Sequence, residues 1–134
     1  LITVLTRSNP SIEMKTRTFL ARCADLGFRV ETKKTLMLKF RAGRNINFAT
    51  IYPETGTVDT SYVYYFCEQI GKAEVAEQYL QGLARLVGGE ILTDGEKRTQ
   101  RIFVNGGPPR FDRLIADGGE QWLALLGAAA STIR

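Results

Sequence analysis

Histidine is absent from the 134 residues of the sequence, and cysteine occurs only as Cys23 and Cys67. Without histidine the chain cannot form a Ser-His-Asp or Cys-His catalytic group or a histidine-based zinc site. Two scattered cysteines are too few for a disulfide framework or a cysteine-rich metal site. These absences exclude the commonest hydrolytic and zinc chemistry, and we expect no catalytic residues, no metal and no cofactor.

Nucleotide-binding motifs and long apolar runs are also missing. Neither a G-x-x-x-x-G-K-[ST] loop nor a strand followed by G-x-G-x-x-G occurs. No apolar run approaches the roughly 18–20 residues that cross a bilayer, and residues 1–6 lack the features of a secretory signal. Both cysteines fall on the apolar side of predicted helices, as reduced thiols do. We therefore expect a cytoplasmic protein without membrane contact, and a binding protein rather than an enzyme.

The composition is that of one globular domain covering residues 1–134, with 44% hydrophobic and 24% charged residues. Helical spacing of apolar residues predicts helices. Ser61 or Thr60 can cap the second of these helices, and Gly71 can end it in a left-handed conformation. The predicted helices are 8–27, 62–70, 73–87, 108–119 and 120–134.

A period of two predicts strands between residues 28 and 60, and a later hairpin turns at Asp94-Gly95. The predicted fold is α+β: an antiparallel meander of three to four strands plus the hairpin, covered on one face by helices. Strict alternation places Ile46, Phe48, Thr50 and Tyr52 on the covered face, and Asn47, Ala49 and Ile51 on the other. The predicted core includes Phe19, Leu20, Leu38, Phe40, Phe48, Val63, Phe66, Leu80, Leu83 and Trp122.

Positive charge is concentrated in residues 29–44, which contain six basic residues and one glutamate, while the whole chain carries a net charge of +4. A basic strip on a sheet can follow phosphates, and tyrosines at its margin can stack on bases. Basic residues also commonly fill a solvated face or protect a sheet edge. The candidate anion-binding residues are Lys33, Lys39, Arg41, Arg44, Tyr62 and Tyr65.

Three functions remain open. The first is a small non-enzymatic interaction protein that self-associates as a dimer, because Met37, Ala49 and Ile51 would lie beside charges on an uncovered sheet face. The second is binding of nucleic acid or another polyanion, through the basic face or through a winged helix built from the helices 62–70 and 73–87 and the hairpin. The third is an enzyme or small-ligand binder with a pocket between sheet and helices. Candidate polar groups for that pocket are Tyr52, Tyr64, Tyr79, Arg110 and Asp112.

Overall fold

The described residues, 2–7 and 9–134 of this computed structural model, form five α-helices, one four-stranded antiparallel sheet and a separate β-hairpin. This confirms the predicted α+β class. The helices are α1 (Ile2–Leu5), α2 (Glu13–Asp25), α3 (Ser61–Gln69), α4 (Ala73–Val87) and α5 (Phe111–Ile133). The sheet contains β1 (Arg29–Thr32), β2 (Leu36–Arg41), β3 (Asn45–Tyr52) and β4 (Thr57–Asp59), and the hairpin contains β5 (Glu90–Asp94) and β6 (Thr99–Phe103).

The sheet is a meander in the order β1-β2-β3-β4, with each strand antiparallel to its neighbour. Along β2, Leu36, Leu38 and Phe40 are buried and alternate with more exposed residues, as predicted. Aromatic rings join the sheet to the helices, since Phe48 meets Tyr79 of α4 edge-on at 5.2 Å. The face that carries these buried residues is the covered face of the sheet.

A β-bulge in β3 changes which residues face the helices. Lys39 pairs with Asn47 and Leu38 pairs with Ala49, so Phe48 has no partner in β2. Beyond this extra residue the alternation reverses, and Ala49 and Ile51 join the covered face with 1% and 0% exposure. The prediction that they lie on the uncovered face is therefore wrong.

The opposite side of the sheet, the open face, carries mainly charged and polar residues. Of the four residues assigned to the covered face by strict alternation, Ile46 and Phe48 do lie there. The placement of Thr50 and Tyr52 there is wrong: Thr50 pairs with Met37 and Asp59, and Tyr52 pairs with Thr57, so both belong to the open face, and Tyr52 is 41% exposed. The open face comprises Arg29, Glu31, Met37, Lys39, Arg41, Asn45, Asn47, Thr50, Tyr52, Thr57 and Asp59.

A buried hydrogen-bond chain links the bulge to two helices. The indole N–H of Trp122 in α5 donates to the Tyr79 hydroxyl at 3.0 Å, and that hydroxyl donates to the Phe48 carbonyl across a long 3.5 Å. All three residues are almost completely buried. A buried polar group without a hydrogen-bond partner destabilises the folded protein. This chain of bonds gives the Trp122 indole and the Tyr79 hydroxyl their partners inside the aromatic core.

Helix ends follow the sequence signals in part. Gly71 and Gly88 adopt the left-handed conformation after α3 and α4, as the glycine positions predict. The Thr60 side chain does not cap α3. Instead the Asp59 carboxylate accepts hydrogen bonds from the Ser61 N–H and hydroxyl at 3.2 and 2.5 Å. Thr60 accepts a bond from the Ile102 N–H at 3.4 Å, which ties the hairpin to the sheet.

The two predicted C-terminal helices, 108–119 and 120–134, correspond to the two parts of α5, which are divided by a kink at Gly118, where the backbone angles are not helical. A side chain at Gly118 would come within 3.0 Å of Leu86 in α4, so the bend lies where the two helices pack closely. At the other end of the chain, α1 was not predicted, and α2 begins at Glu13 after a 3-10 turn (Pro10–Ile12). Ser8, where the first predicted helix opens, lies outside the described residues.

Candidate functional site

The six candidate anion-binding residues do not form one group. Lys33 lies in the turn between β1 and β2, whereas Arg41 and Arg44 lie at and beyond the other end of β2. Six strand residues separate these ends, which is about 20 Å at a rise of about 3.4 Å per residue. A single small anion cannot contact both ends, but an extended polyanion can.

Lys39 is partly neutralised by its neighbour across the strands. Its ammonium lies 3.1 Å from the Glu31 carboxylate, and Arg29 lies 3.3 Å from the same carboxylate. The hydrogen bond from Lys39 lowers the pKa of Glu31, and the charges of Lys39, Arg29 and Lys33 act in the same direction. Lys39 is also half-buried, so the free positive charge at this end of the sheet comes mainly from Arg41 on the open face and from Arg44 in the turn that follows β2.

Aromatic side chains gather beside Arg44. The Arg44 guanidinium lies 4.7 Å from the centre of the Phe66 ring, a cation–π distance. Tyr65 and Tyr62 contact the same ring, with centres 5.3 and 6.3 Å away. We call Tyr62, Tyr65 and Phe66 the aromatic cluster. The structure thus brings three of the six candidate residues, Arg44, Tyr62 and Tyr65, together around Phe66, which the sequence analysis places in the core.

Phe66 was misassigned because α3 has neighbours on more than one side. Val63 and Cys67 face the core with 0% exposure, whereas Phe66 is half-buried and Tyr62 is 50% exposed. The other nine predicted core residues are buried. The signal for Phe66 was present, since Tyr62 and Phe66 are four residues apart and so share one side of the helix.

Helix α3 packs against β3, whose pairing with the short strand β4 covers residues 50–52 alone. Tyr62 lies near Tyr52, and Phe66 lies near Arg44 at the other end of β3. Burial, then the nearby Asp59 carboxylate and Tyr62 hydroxyl, raise the pKa of Tyr52. The aromatic cluster therefore borders the open face along β3.

The winged-helix alternative receives less support from charge. The first turn of α4 carries Glu74, and Glu77 is also exposed, so the helix that would enter a groove begins with acidic residues. Arg98, at the tip of the hairpin, forms an ion pair with Glu68 of α3. The hairpin turn is also longer than predicted, because Asp94 accepts bonds from the N–H groups of Glu96 and Lys97 and the turn spans residues 95–98.

The polar groups proposed for a pocket between sheet and helices are dispersed. Tyr79 is buried in the core, Tyr52 lies on the open face, and Asp112 pairs with Arg110 at 3.2 Å. Tyr64 is half-buried on α3. Arg110 does line a cleft of about 600 Å³ between α4, α5 and the segment 104–110. We call it the α4–α5 cleft, and no pattern of sequence spacing indicated its position.

Both thiols are free and fully buried, as predicted. Burial raises the pKa of Cys23 from 9.0 to about 12 and is also the main reason that the pKa of Cys67 rises to about 11. Neither is therefore a thiolate near neutral pH.

Across the described residues, no group of three or more acidic or cysteine side chains is arranged to hold a metal ion. None of the described helices has both the length and the apolar character needed to cross a membrane.

Comparison of the chain with protein-family models, with curated proteins and with solved structures yields no match.

Proposed function

We propose that this chain is a non-enzymatic binding protein, and that its open face and aromatic cluster bind single-stranded nucleic acid. One observation carries the proposal: Arg44 and three aromatic rings meet at the edge of a sheet face that also bears Arg29 and Arg41. Cations that follow the backbone and exposed rings that stack on bases are the two components of single-strand binding surfaces.

The strand direction fits an extended ligand. Arg41 and Arg44 lie at one end of the open face, and the exposed rings of Tyr62 and Tyr52 continue along β3 toward the other end. Stacking on an aromatic side chain contributes about 1–3 kcal/mol per base and tolerates any sequence. We therefore expect binding with little sequence preference and with strong dependence on salt.

The test is fluorescence anisotropy with labelled oligo(dT) and oligo(rU) of about 12 nucleotides, within the roughly 4–16 nucleotides that such surfaces cover. The informative variant is Arg41→Glu with Arg44→Glu. Lys39 is unsuitable, since its reversal would set two carboxylates against each other at Glu31. The matched control is Arg85→Glu with Lys97→Glu, an equal change of charge at exposed residues outside the open face.

Wild type should bind at low salt, and the Arg41/Arg44 variant should bind more weakly. Its plot of log affinity against log salt should be shallower by about 1.4, at about 0.7 per lost phosphate contact. The control variant should retain most of the affinity. The proposal is wrong if wild type binds neither oligonucleotide at low salt, or if both variants lose affinity equally.

Self-association is the second candidate, and the exposed rings of Tyr52 and Tyr62 favour it because tyrosine is enriched in interfaces. Because Ala49 and Ile51 lie on the covered face, the open face offers a partner one half-buried aliphatic side chain, Met37. Light scattering after size exclusion, with and without oligonucleotide, separates the two candidates. A dimer that a Tyr62→Glu substitution converts to monomer supports self-association through this surface, and a monomeric mass at high micromolar concentration excludes it.

A further inference from the structure

The α4–α5 cleft is built by segments far apart in the chain: the end of α4, the start of α5, Thr57 of β4 and the segment 104–110. Its volume of about 600 Å³ falls within the ~300–1,000 Å³ typical of small-molecule sites. Gly118 and Leu86, which both line the cleft, pack closely and fix the two helices against each other at its wall. The cleft is therefore formed before any ligand arrives.

One side of the cleft is apolar and incompletely buried. Leu86, Val87 and Val104 line it and are half-buried, while Leu114 and Pro109 beside them are buried. Removing the exposed part of these side chains from water is favourable by about 25 cal/mol per Å² of apolar surface. A ligand with an apolar body would complete their burial.

The other side carries two arginines in different states. Arg110 is held in place, because its guanidinium donates to Asp112 and to the Thr55 carbonyl, each at 3.2 Å. Arg113 is exposed, and within residues 2–7 and 9–134 its guanidinium has neither an ion pair nor a hydrogen bond. Asp117, one turn further along α5, also lines the cleft and would repel a negative group placed next to it.

We propose that the α4–α5 cleft binds a small amphipathic anion. The apolar body of the ligand lies against Leu86, Val87 and Val104. Its carboxylate or phosphate head binds Arg113 on the side nearer Arg110 and away from Asp117. A guanidinium suits both head groups because its donors match two oxygen atoms at once.

Isothermal titration calorimetry with 3-phenylpropanoate and phenyl phosphate tests the site, and 3-phenylpropan-1-ol serves as the uncharged counterpart. The variants are Arg113→Gln, which removes the free charge, and Val87→Phe, which fills the apolar side. Arg85→Gln is the matched control, since Arg85 is an exposed arginine of α4 that does not line the cleft. Thermal unfolding of each variant establishes that it is folded.

We expect millimolar or tighter binding of at least one anion to wild type, and the anion that binds more tightly identifies the preferred head group. Arg113→Gln should weaken it about tenfold or more, as expected for loss of a hydrogen-bonded charge. Val87→Phe should weaken it also, and Arg85→Gln should leave it unchanged. The proposal fails if neither anion binds, if the alcohol binds as tightly as the anions, or if Arg113→Gln and Arg85→Gln behave alike.

Discussion

The two faces of the four-stranded sheet differ in what their side chains can tolerate. On the covered face Leu36, Leu38 and Ile51 are fully buried, whereas on the open face Arg41 and Tyr52 remain exposed. Substitutions on the first face remove packing that holds the fold, while substitutions on the second alter charge and stacking at little cost in stability. The difference separates residues that maintain the structure from residues that are free to bind.

Substitutions at two adjacent residues of β3 test the difference between the two faces most strongly. Ile51→Lys should destabilise the protein by about 4 kcal/mol or more, because it places an unpaired charge in the core. Tyr52→Lys should cost less than about 1 kcal/mol, because that side chain is 41% exposed. Urea denaturation measures both. Without the bulge the two residues would exchange faces, so the reverse order of stabilities would refute the register described here.

A smaller loss of stability is expected when the hydrogen-bond chain at the bulge is broken. Tyr79→Phe leaves the Trp122 indole N–H and the Phe48 carbonyl without their partner, so we expect a loss of about 1–3 kcal/mol. Trp122 is the single tryptophan, and its fluorescence reports unfolding directly.

Tyr62→Phe is the control for this substitution, since Tyr62 is 50% exposed and should change stability by less than about 0.5 kcal/mol. Equal stability of the Tyr79 and Tyr62 variants would mean that the chain of bonds does not support the bulge.

The smallest expected effect concerns pH on the open face. The pKa of Glu31 is lowered in the folded protein, so its contribution to stability is present above the ordinary value of 4.5 and is lost as pH falls through the lower folded value. Lys39→Met should therefore make the loss of thermal stability between about pH 5 and pH 3 shallower.

Lys34→Met provides the comparison, because this exposed lysine lies nearby without lowering the pKa of Glu31. An unchanged pH profile for Lys39→Met would show that the ion pair contributes nothing measurable in solution.

Most of the covered face could be predicted from sequence, because β2 and α4 each bury one side, and their apolar residues follow the strand and helix periods. The bulge could not be predicted, since strict alternation assumes that every residue of β3 pairs with one in β2. The one local sign was that apolar residues occupy both even and odd positions of β3, with Phe48 on one and Ala49 and Ile51 on the other. Phe66 was misplaced for a related reason: a helix flanked by β3 and the hairpin has no single apolar stripe.

The α4–α5 cleft could not be predicted from the sequence for a different reason. Leu86, Val104 and Arg113 belong to separate segments, and no spacing in the sequence brings them together. The Gly118-Gly119 pair predicted a break between the two C-terminal helices, and α5 does kink at Gly118. The sequence did not indicate that Leu86 of α4 packs against Gly118 at this kink, because that contact joins separate segments.

The most direct test of the proposed function is a nitrogen-15 NMR titration of the wild-type protein with oligo(dT) at low salt. The proposal predicts shifts at the amides of Arg41, Arg44 and Asn47 and along α3 from Tyr62 to Phe66, with α5 unchanged. Shifts that concentrate at the hairpin turn 95–98, or no shifts at all, would contradict the assignment of the open face as the nucleic-acid surface.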